Sequence, residues 1–249
     1  MSQRATTSQQ PASAAVARRE ARRDPANLVL DALGVLGLAG FAILTVLLWA
    51  HVSLFFDPPL RDAALQLRTW HDLWDAISNA ANYPMIVVGV GIVVWLLWTR
   101  QRREAVLVIV TLALVTAGSE GVKQLVHRPR PPGSDAQVAG VVYSFPSGHA
   151  LEAVTILGIV AMLVWRSRAP RWFAVAVAIS VALFCASVAL ARVAINAHWP
   201  SDVAAGLLGG IGVLALVIRL TRDVEGDAHG ERSRGAPPGR SSAPPAPDG

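Results

Sequence analysis

Residues 171–220 read RWFAVAVAISVALFCASVALARVAINAHWPSDVAAGLLGGIGVLALVIRL. In this stretch two apolar runs, 172–191 and 202–220, are joined by a short polar turn. A helix that crosses a bilayer needs roughly 20 apolar residues, within a range of about 17–25. Neither run alternates apolar and polar residues as a barrel strand does. The stretch therefore predicts two membrane-spanning helices, with an arginine, a histidine and an aspartate in and beside the turn.

The rest of the chain repeats this pattern. Four further apolar runs precede the quoted stretch, at about 28–50, 83–99, 104–122 and 149–165. Hydrophobic residues make up 53% of the 249 residues and charged residues only 16%, the balance of a protein whose surface largely faces lipid. We predict an all-α fold, a polytopic membrane helical bundle with six transmembrane helices.

The two ends of the chain differ from the middle in composition. Residues 1–26 are rich in Ala, Ser, Gln and Arg, and residues 223–249 in Pro, Gly and Ser, and neither has apolar periodicity. Such segments cannot bury enough apolar surface to fold, so both are predicted to be disordered cytoplasmic arms. They flank a six-span membrane domain at 27–222. The first apolar run is too long for a signal peptide, which predicts an uncleaved first span.

The connection at 57–82 carries apolar residues at helical spacing. Leu67, Trp70, Leu73, Trp74 and Ile77 would share one face of a helix. This pattern predicts a short interfacial helix lying on the outer membrane surface. A loop that packs on the bundle explains the pattern equally well.

The placement of the basic residues indicates a membrane protein rather than a nucleic-acid-binding one, despite a net charge of +5. Sixteen of the 22 Lys and Arg residues lie in segments on the N-terminal side of the membrane, and six lie on the other side. By the positive-inside rule, both termini are cytoplasmic. We expect a multi-pass protein of a bacterial plasma (inner) membrane. The single cysteine, Cys185, allows no intrachain disulfide and no cysteine-based metal site, and no obligate protein partner is evident.

Most of the basic residues on the outer side occupy just two places. Lys123, Arg128 and Arg130 follow the third span, and Arg192 follows the fifth. The positive-inside rule predicts few basic residues on the outer side, so the presence of these four requires a reason. A substrate that carries phosphate would supply one, because Arg and Lys are the natural partners of phosphate oxygens.

Three short motifs in the outer connections resemble the signature of the type 2 phosphatidic acid phosphatase (PAP2) family. The matching residues are Lys123, Arg130 and Pro131 in the first motif, Pro146, Ser147, Gly148 and His149 in the second, and Arg192, His198 and Asp202 in the third. They occur in the family's order and at its spacing. The motifs cover 123 to 202, and the six-span layout extends the resemblance to about 28–220. Ala191 departs from the pattern, since the family usually has Ser there, and one hydrogen bond is thereby in doubt.

The resemblance implies an enzyme, a phosphatase that hydrolyses a lipid phosphate monoester or diphosphate. His198 would attack phosphorus and form a phosphohistidine, which splits one difficult displacement into two easier ones. Asp202 would fix the tautomer of His198, although an acid at a helix start also suits the helix dipole. His149 would protonate the leaving oxygen and then activate water.

The same resemblance implies a phosphate cradle made by the chain alone. Its members would be Lys123, Arg130, Ser147, Gly148 and Arg192, with Ser147 and Gly148 at the start of a helix, where free N–H groups attract anions. Neither a metal nor a cofactor is implied, because the cations do the work of metal ions. Arg128 is predicted to be a supporting charge rather than a ligand, and the role of Glu152 stays open.

Other functions compete with this one. Vanadium-dependent haloperoxidases share the three motifs, but they are soluble proteins, and six spans argue against them. A catalytically inactive lipid-phosphate-binding or transport protein on the same scaffold is the alternative from a different class. Phosphatidic acid, phosphatidylglycerophosphate and polyprenyl diphosphates all remain candidate substrates, and the expected partners are this lipid phosphate and the membrane lipids.

Overall fold

The computed structural model describes residues 24–134 and 142–235. The described parts are helical, and no strand is assigned within these two ranges. The α-helices, in chain order, are α1 Pro25–Trp49, α2 Asp57–Leu65, α3 His71–Ala80, α4 Tyr83–Trp98, α5 Arg102–Val126, α6 Gly148–Arg166, α7 Arg171–Ala194 and α8 Pro200–Gly235. A 3₁₀ turn at Gln66–Trp70 joins α2 to α3.

Six helical segments are long and apolar enough to cross a membrane, which confirms the predicted six-span, all-α architecture. They contain α1, α4, α5, α6, α7 and α8. The last helix continues to Gly235, so it extends beyond the predicted end of the membrane domain at residue 222. Most of the predicted N-terminal arm and residues 236–249 of the predicted tail lie outside the described residues.

The connection at 57–82 is helical rather than a loop, and it forms two α-helices, α2 and α3, joined by the 3₁₀ turn instead of one helix. Its position on the outer membrane surface stays a prediction. Two prolines in the first turn of α2 suit a helix start, because the N–H that proline lacks would be unpaired there. Trp74 Nε1 donates to the Leu67 carbonyl at 2.9 Å across the 3₁₀ turn. Buried Ser78 of α3 meets Arg192 of α7, so the connection folds back over the end of α7.

The first and last membrane helices pack closely through glycine. A Cβ atom built on Gly37 of α1 would lie 2.6 Å from the Leu208 carbonyl oxygen and 2.7 Å from the Gly212 backbone nitrogen, both in α8. No side chain fits at these distances. Small residues of this kind let membrane helices approach backbone to backbone, where packing rather than a hydrophobic driving force holds them.

The main apolar core lies between α4, α5, α6, α7 and α8. Buried members include Leu96, Val108, Ile159, Val188 and Val217, one from each helix. By contrast, many apolar side chains on the outside of the bundle are exposed, among them those of α1 and α4. Apolar side chains on the outside, the reverse of the pattern in a water-soluble protein, are expected where a surface faces lipid. Because successive spans are antiparallel, the ends of α5 and α7 and the starts of α6 and α8 share one end of the bundle, where the three motifs meet.

Candidate active site

The start of α8 brings His198 and Asp202 together. Pro200 opens the helix, and Asp202 occupies its first turn, as the sequence predicted. Asp202 Oδ2 accepts from the Trp199 backbone N–H at 2.9 Å, in the manner of a capping box. The same oxygen lies 3.5 Å from His198 Nδ1. The aspartate therefore both caps the helix and faces the histidine.

His198 is enclosed, with 2% of its surface exposed. Its backbone N–H donates to the Arg192 carbonyl at 3.0 Å, within a turn where Asn196 has a φ of 61°. Burial lowers the pKa of His198 to about 4; the Asp202 carboxylate opposes this shift, and Arg192 and Arg130 add to it. The imidazole is therefore neutral near pH 7, the form that a nucleophile requires.

The histidine–aspartate contact is open in this structure. At 3.5 Å it is longer than a formed hydrogen bond, and His198 Nδ1 has no hydrogen-bond partner among the residues described. Catalytic hydrogen bonds are often long in free enzymes and shorten when substrate binds. Since Nδ1 is the nitrogen that faces Asp202, Nε2 is the nitrogen available for chemistry.

The start of α6 is joined directly to the start of α8. The Ser147 backbone N–H donates to the Asp202 carbonyl at 3.0 Å. Gly206 permits this approach, because a Cβ atom there would lie 2.6 Å from the Ser147 carbonyl oxygen. Ser147 is the N-cap residue, as predicted, but its side chain makes no capping hydrogen bond. Its buried Oγ has no partner within the described part of the chain, which leaves the hydroxyl available to a ligand.

His149 occupies the first turn of α6, within electrostatic reach of His198, Arg192, Lys123 and Arg130. The helix start is narrow beside it. A Cβ atom built on Gly148 would lie 3.5 Å from Ser119 Oγ and 3.9 Å from Lys123 Nζ. Because Gly148 has no side chain, no atom of its own fills the space between its backbone and Lys123 Nζ. The ammonium group of Lys123 thus lies beside the residue that precedes His149.

Three cations border the two histidines. Arg192 Nη1 donates to Ser78 Oγ at 2.6 Å, whereas its buried Nε has no partner in the described ranges. Arg130 Nη1 donates to the Ala197 carbonyl at 2.6 Å. Burial lowers the pKa of Arg130, and the Asp202 carboxylate opposes that shift.

Lys123 Nζ lies 2.5 Å from Glu120 Oε1, so the lysine is paired in this structure. Its side chain is mostly buried, whereas that of Glu120 is largely exposed. The structure thus brings the eight predicted site residues to one end of the bundle.

Arg128 is held between two carboxylates. It bonds Asp202 Oδ1 through Nη1, and its Nη2 lies 2.6 Å from Asp57 Oδ2. Nη1 also donates to Ser201 Oγ at 2.7 Å. The arginine therefore contacts the acid of the histidine–aspartate pair, which agrees with a supporting charge.

Several residues near the site were not identified from the sequence. Asp57 resembles an ordinary acid at a helix start, and Ser78 and Ser119 carry no motif. The buried Ser119 Oγ, like that of Ser147, has no partner among residues 24–134 and 142–222. Ala191 is fully buried, and the hydroxyl beside Arg192 comes from Ser78 on α3 instead.

Comparisons with known proteins agree with this arrangement. The sequence profile of the PAP2 superfamily matches residues 104–225, a range that contains all three motifs. An undecaprenyl-diphosphatase of Sulfolobus acidocaldarius is 28% identical over 130 residues, which cover 50% of this chain and 59% of that protein. The chain thus matches less than two thirds of this relative's length.

A solved structure is similar over a longer range. The crystal structure of a transmembrane PAP2 type phosphatidylglycerolphosphate phosphatase from Bacillus subtilis superposes with a TM-score of 0.63 and 19% sequence identity. The similarity covers 76% of this chain and 98% of that one, and at this identity it establishes the fold. The profile match over all three motifs places residues 104–225 of this chain in the PAP2 superfamily.

Proposed function

We propose that this protein is a membrane phosphatase that hydrolyses a lipid phosphate monoester or diphosphate through a phosphohistidine on His198, without a metal. One observation carries the proposal. At the place where His198, His149 and the three cations meet, buried hydrogen-bond donors have no partner among the described residues. Ser147 Oγ and Arg192 Nε are two such donors. Leaving buried donors unpaired costs free energy, and phosphate oxygens would satisfy them.

In the proposed mechanism the phosphate binds at the start of α6. The Ser147 hydroxyl, the Gly148 N–H and Arg192 donate to its oxygens, and the positive end of the helix dipole favours the anion. Lys123 would leave Glu120 and bind phosphate. The cations stabilise the charge that develops on the equatorial oxygens in the transition state.

Two displacements would then follow. His198 Nε2 attacks phosphorus, a P–N bond forms, and the bond from phosphorus to the leaving oxygen breaks. Asp202 stabilises the proton on Nδ1, and His149 gives its proton to the leaving oxygen. In the second step His149 takes a proton from water, the water oxygen attacks phosphorus, and the P–N bond breaks to release inorganic phosphate and free His198.

The proposed substrate class follows from the position of the site. It lies at the ends of the membrane spans, where a lipid headgroup would lie while its tails remain in the bilayer. Relatives named for undecaprenyl diphosphate and for phosphatidylglycerolphosphate support a lipid phosphate or diphosphate. The distribution of basic residues supports an outward-facing site with both termini cytoplasmic.

Phosphate release tests the proposal. Detergent-solubilised protein would be incubated with phosphatidic acid and with a polyprenyl diphosphate, with and without excess EDTA. We expect activity that survives EDTA and is abolished in His198→Ala. His71→Ala is the matched control, because His71 is partly exposed on α3 and pairs with Asp75. Lipid binding without phosphate release would favour the inactive binding or transport protein, and activity that EDTA abolishes would contradict the metal-free mechanism.

A further inference from the structure

A second carboxylate lies behind the histidine–aspartate pair. Asp57, the first residue of α2, is 3% exposed although it lies in none of the three motifs. Its Oδ1 accepts from the Ser201 backbone N–H at 2.8 Å, and its Oδ2 accepts from Ser201 Oγ at 2.6 Å and from Arg128 Nη2 at 2.6 Å. This carboxylate thus binds both the first turn of α8 and the arginine that contacts Asp202.

The arginine between the two acids is itself confined. Arg128 has a side chain that is 14% exposed, and its Cζ atom lies 5.4 Å from the centre of the Trp199 ring. Buried charges are tolerated only where they are paired and hydrogen-bonded. Asp57 and Asp202 share this one guanidinium, so removal of either charge changes how strongly the arginine acts on the other.

The two oxygens of Asp202 have separate partners. Oδ1 meets Arg128, whereas Oδ2 accepts from Trp199 N–H and faces His198 Nδ1. The arginine contact fixes the rotation of the carboxylate, and this rotation decides whether Oδ2 points at the imidazole. The position of Arg128 in turn depends on Asp57.

On the basis of the proposed function, we propose that Asp57 is a positioning residue for the nucleophile, acting through Arg128 and Asp202 on His198. When Asp57 loses its charge, Asp202 is the remaining carboxylate of the two that pair with the Arg128 guanidinium, so the arginine attracts the charge of Asp202 more strongly. Asp202 then becomes a weaker acceptor for the imidazole N–H, and His198 becomes a weaker nucleophile. Asp57 contacts none of the proposed phosphate ligands in the described structure, so the effect falls on the chemical step rather than on binding.

The test compares Asp57→Asn, which keeps the shape and removes the charge, with Asp57→Glu, which keeps the charge. Asp62→Asn is the matched control, because Asp62 lies on the same helix with a side chain that is 67% exposed. Loss of an outer-shell partner in metal sites typically costs about 10–100-fold, and we take the same range here. We expect Asp57→Asn to lower kcat by this factor with KM within about twofold, Asp57→Glu to recover part of the loss, and Asp62→Asn to have no effect.

A second readout separates this role from a structural one. The rate of phosphohistidine formation should fall by the same factor for an alkyl and an aryl phosphate, because the nucleophile and not the leaving-group acid is affected. Unchanged kcat in Asp57→Asn, a loss confined to KM, or equal losses in the Asn and Glu variants accompanied by a lower melting temperature would each overturn the proposal. A wild-type protein without phosphatase activity would overturn the proposed function, and this role with it.

Discussion

Arg192 presents an unpaired edge of its guanidinium to the site, so lysine should be a poor substitute. Nη1 is held by Ser78 Oγ at 2.6 Å, and the buried Nε has no partner in the part of the chain that the structure describes. This arrangement leaves Nε and Nη2 for two phosphate oxygens. Arginine binds phosphate in such a fork, whereas the lysine ammonium is a single point charge.

The size of the effect follows from the bonds lost. A lysine at position 192 keeps at most one of the two proposed contacts with phosphate. A hydrogen bond to a charged group contributes a net of about 1.5–3 kcal/mol, and about 1.4 kcal/mol corresponds to a tenfold change in rate. Arg192→Lys should therefore lower kcat/KM by about 10–100-fold.

The assay is phosphate release from phosphatidic acid and from a polyprenyl diphosphate by the detergent-solubilised protein. Arg171→Lys is the matched control, since Arg171 is exposed at the opposite end of the same helix. Near-normal activity of Arg192→Lys would refute the two-bond geometry. An equal loss in Arg171→Lys would show that the change damages α7 as a whole.

Three further predictions address the acid, the helix contact and the buried histidine. His149→Ala should reduce the rate of hydrolysis of an alkyl phosphate by about 10²–10⁴-fold but that of a nitrophenyl phosphate much less, because an acidic leaving group needs no proton. Equal losses with the two substrates would contradict the acid role. Gly206→Ala should lower the melting temperature and the activity together, because its Cβ would lie 2.6 Å from the Ser147 carbonyl oxygen and overpacking lowers folding stability by about 1–3 kcal/mol. A variant with wild-type melting temperature and activity would contradict the close contact. Since the pKa of His198 is lowered from 6.5 to about 4, the unfolded chain binds the proton more readily, so stability should fall as pH drops from 6.5 toward 4. Thermal melting across this range should show a smaller decline in His198→Asn than in the wild type, and identical slopes would contradict the lowered pKa.

The spans and the meeting of the three motifs were predictable because both depend on local sequence. Hydropathy and length determine which segments cross a membrane, and antiparallel spans bring alternate connections to the same end. Lys123, His149 and His198 were identified because the motifs that contain them resemble the family's pattern. The extension of α8 to Gly235 was missed, since polar composition from residue 223 onward resembles a tail.

The residues that support the site could not be predicted in this way. Asp57 acts on Ser201, and Ser78 on Arg192, across long separations in sequence. These contacts exist only because α2 and α3 fold back over the ends of α7 and α8. An isolated aspartate or serine in a connecting segment gives no local sign of such a partner.

The close glycine contact between α1 and α8 bears on how the protein is made. The first helix enters the membrane early in synthesis, but its partner is the last span to follow, and Asp202 lies in the first turn of that span. Contacts between distant parts of a chain form late. We therefore expect the bundle to close only after the whole chain has been translated, so nascent chains that end before residue 200 would leave the Gly37 surface uncovered in the bilayer, available to lipid or to membrane quality-control proteases.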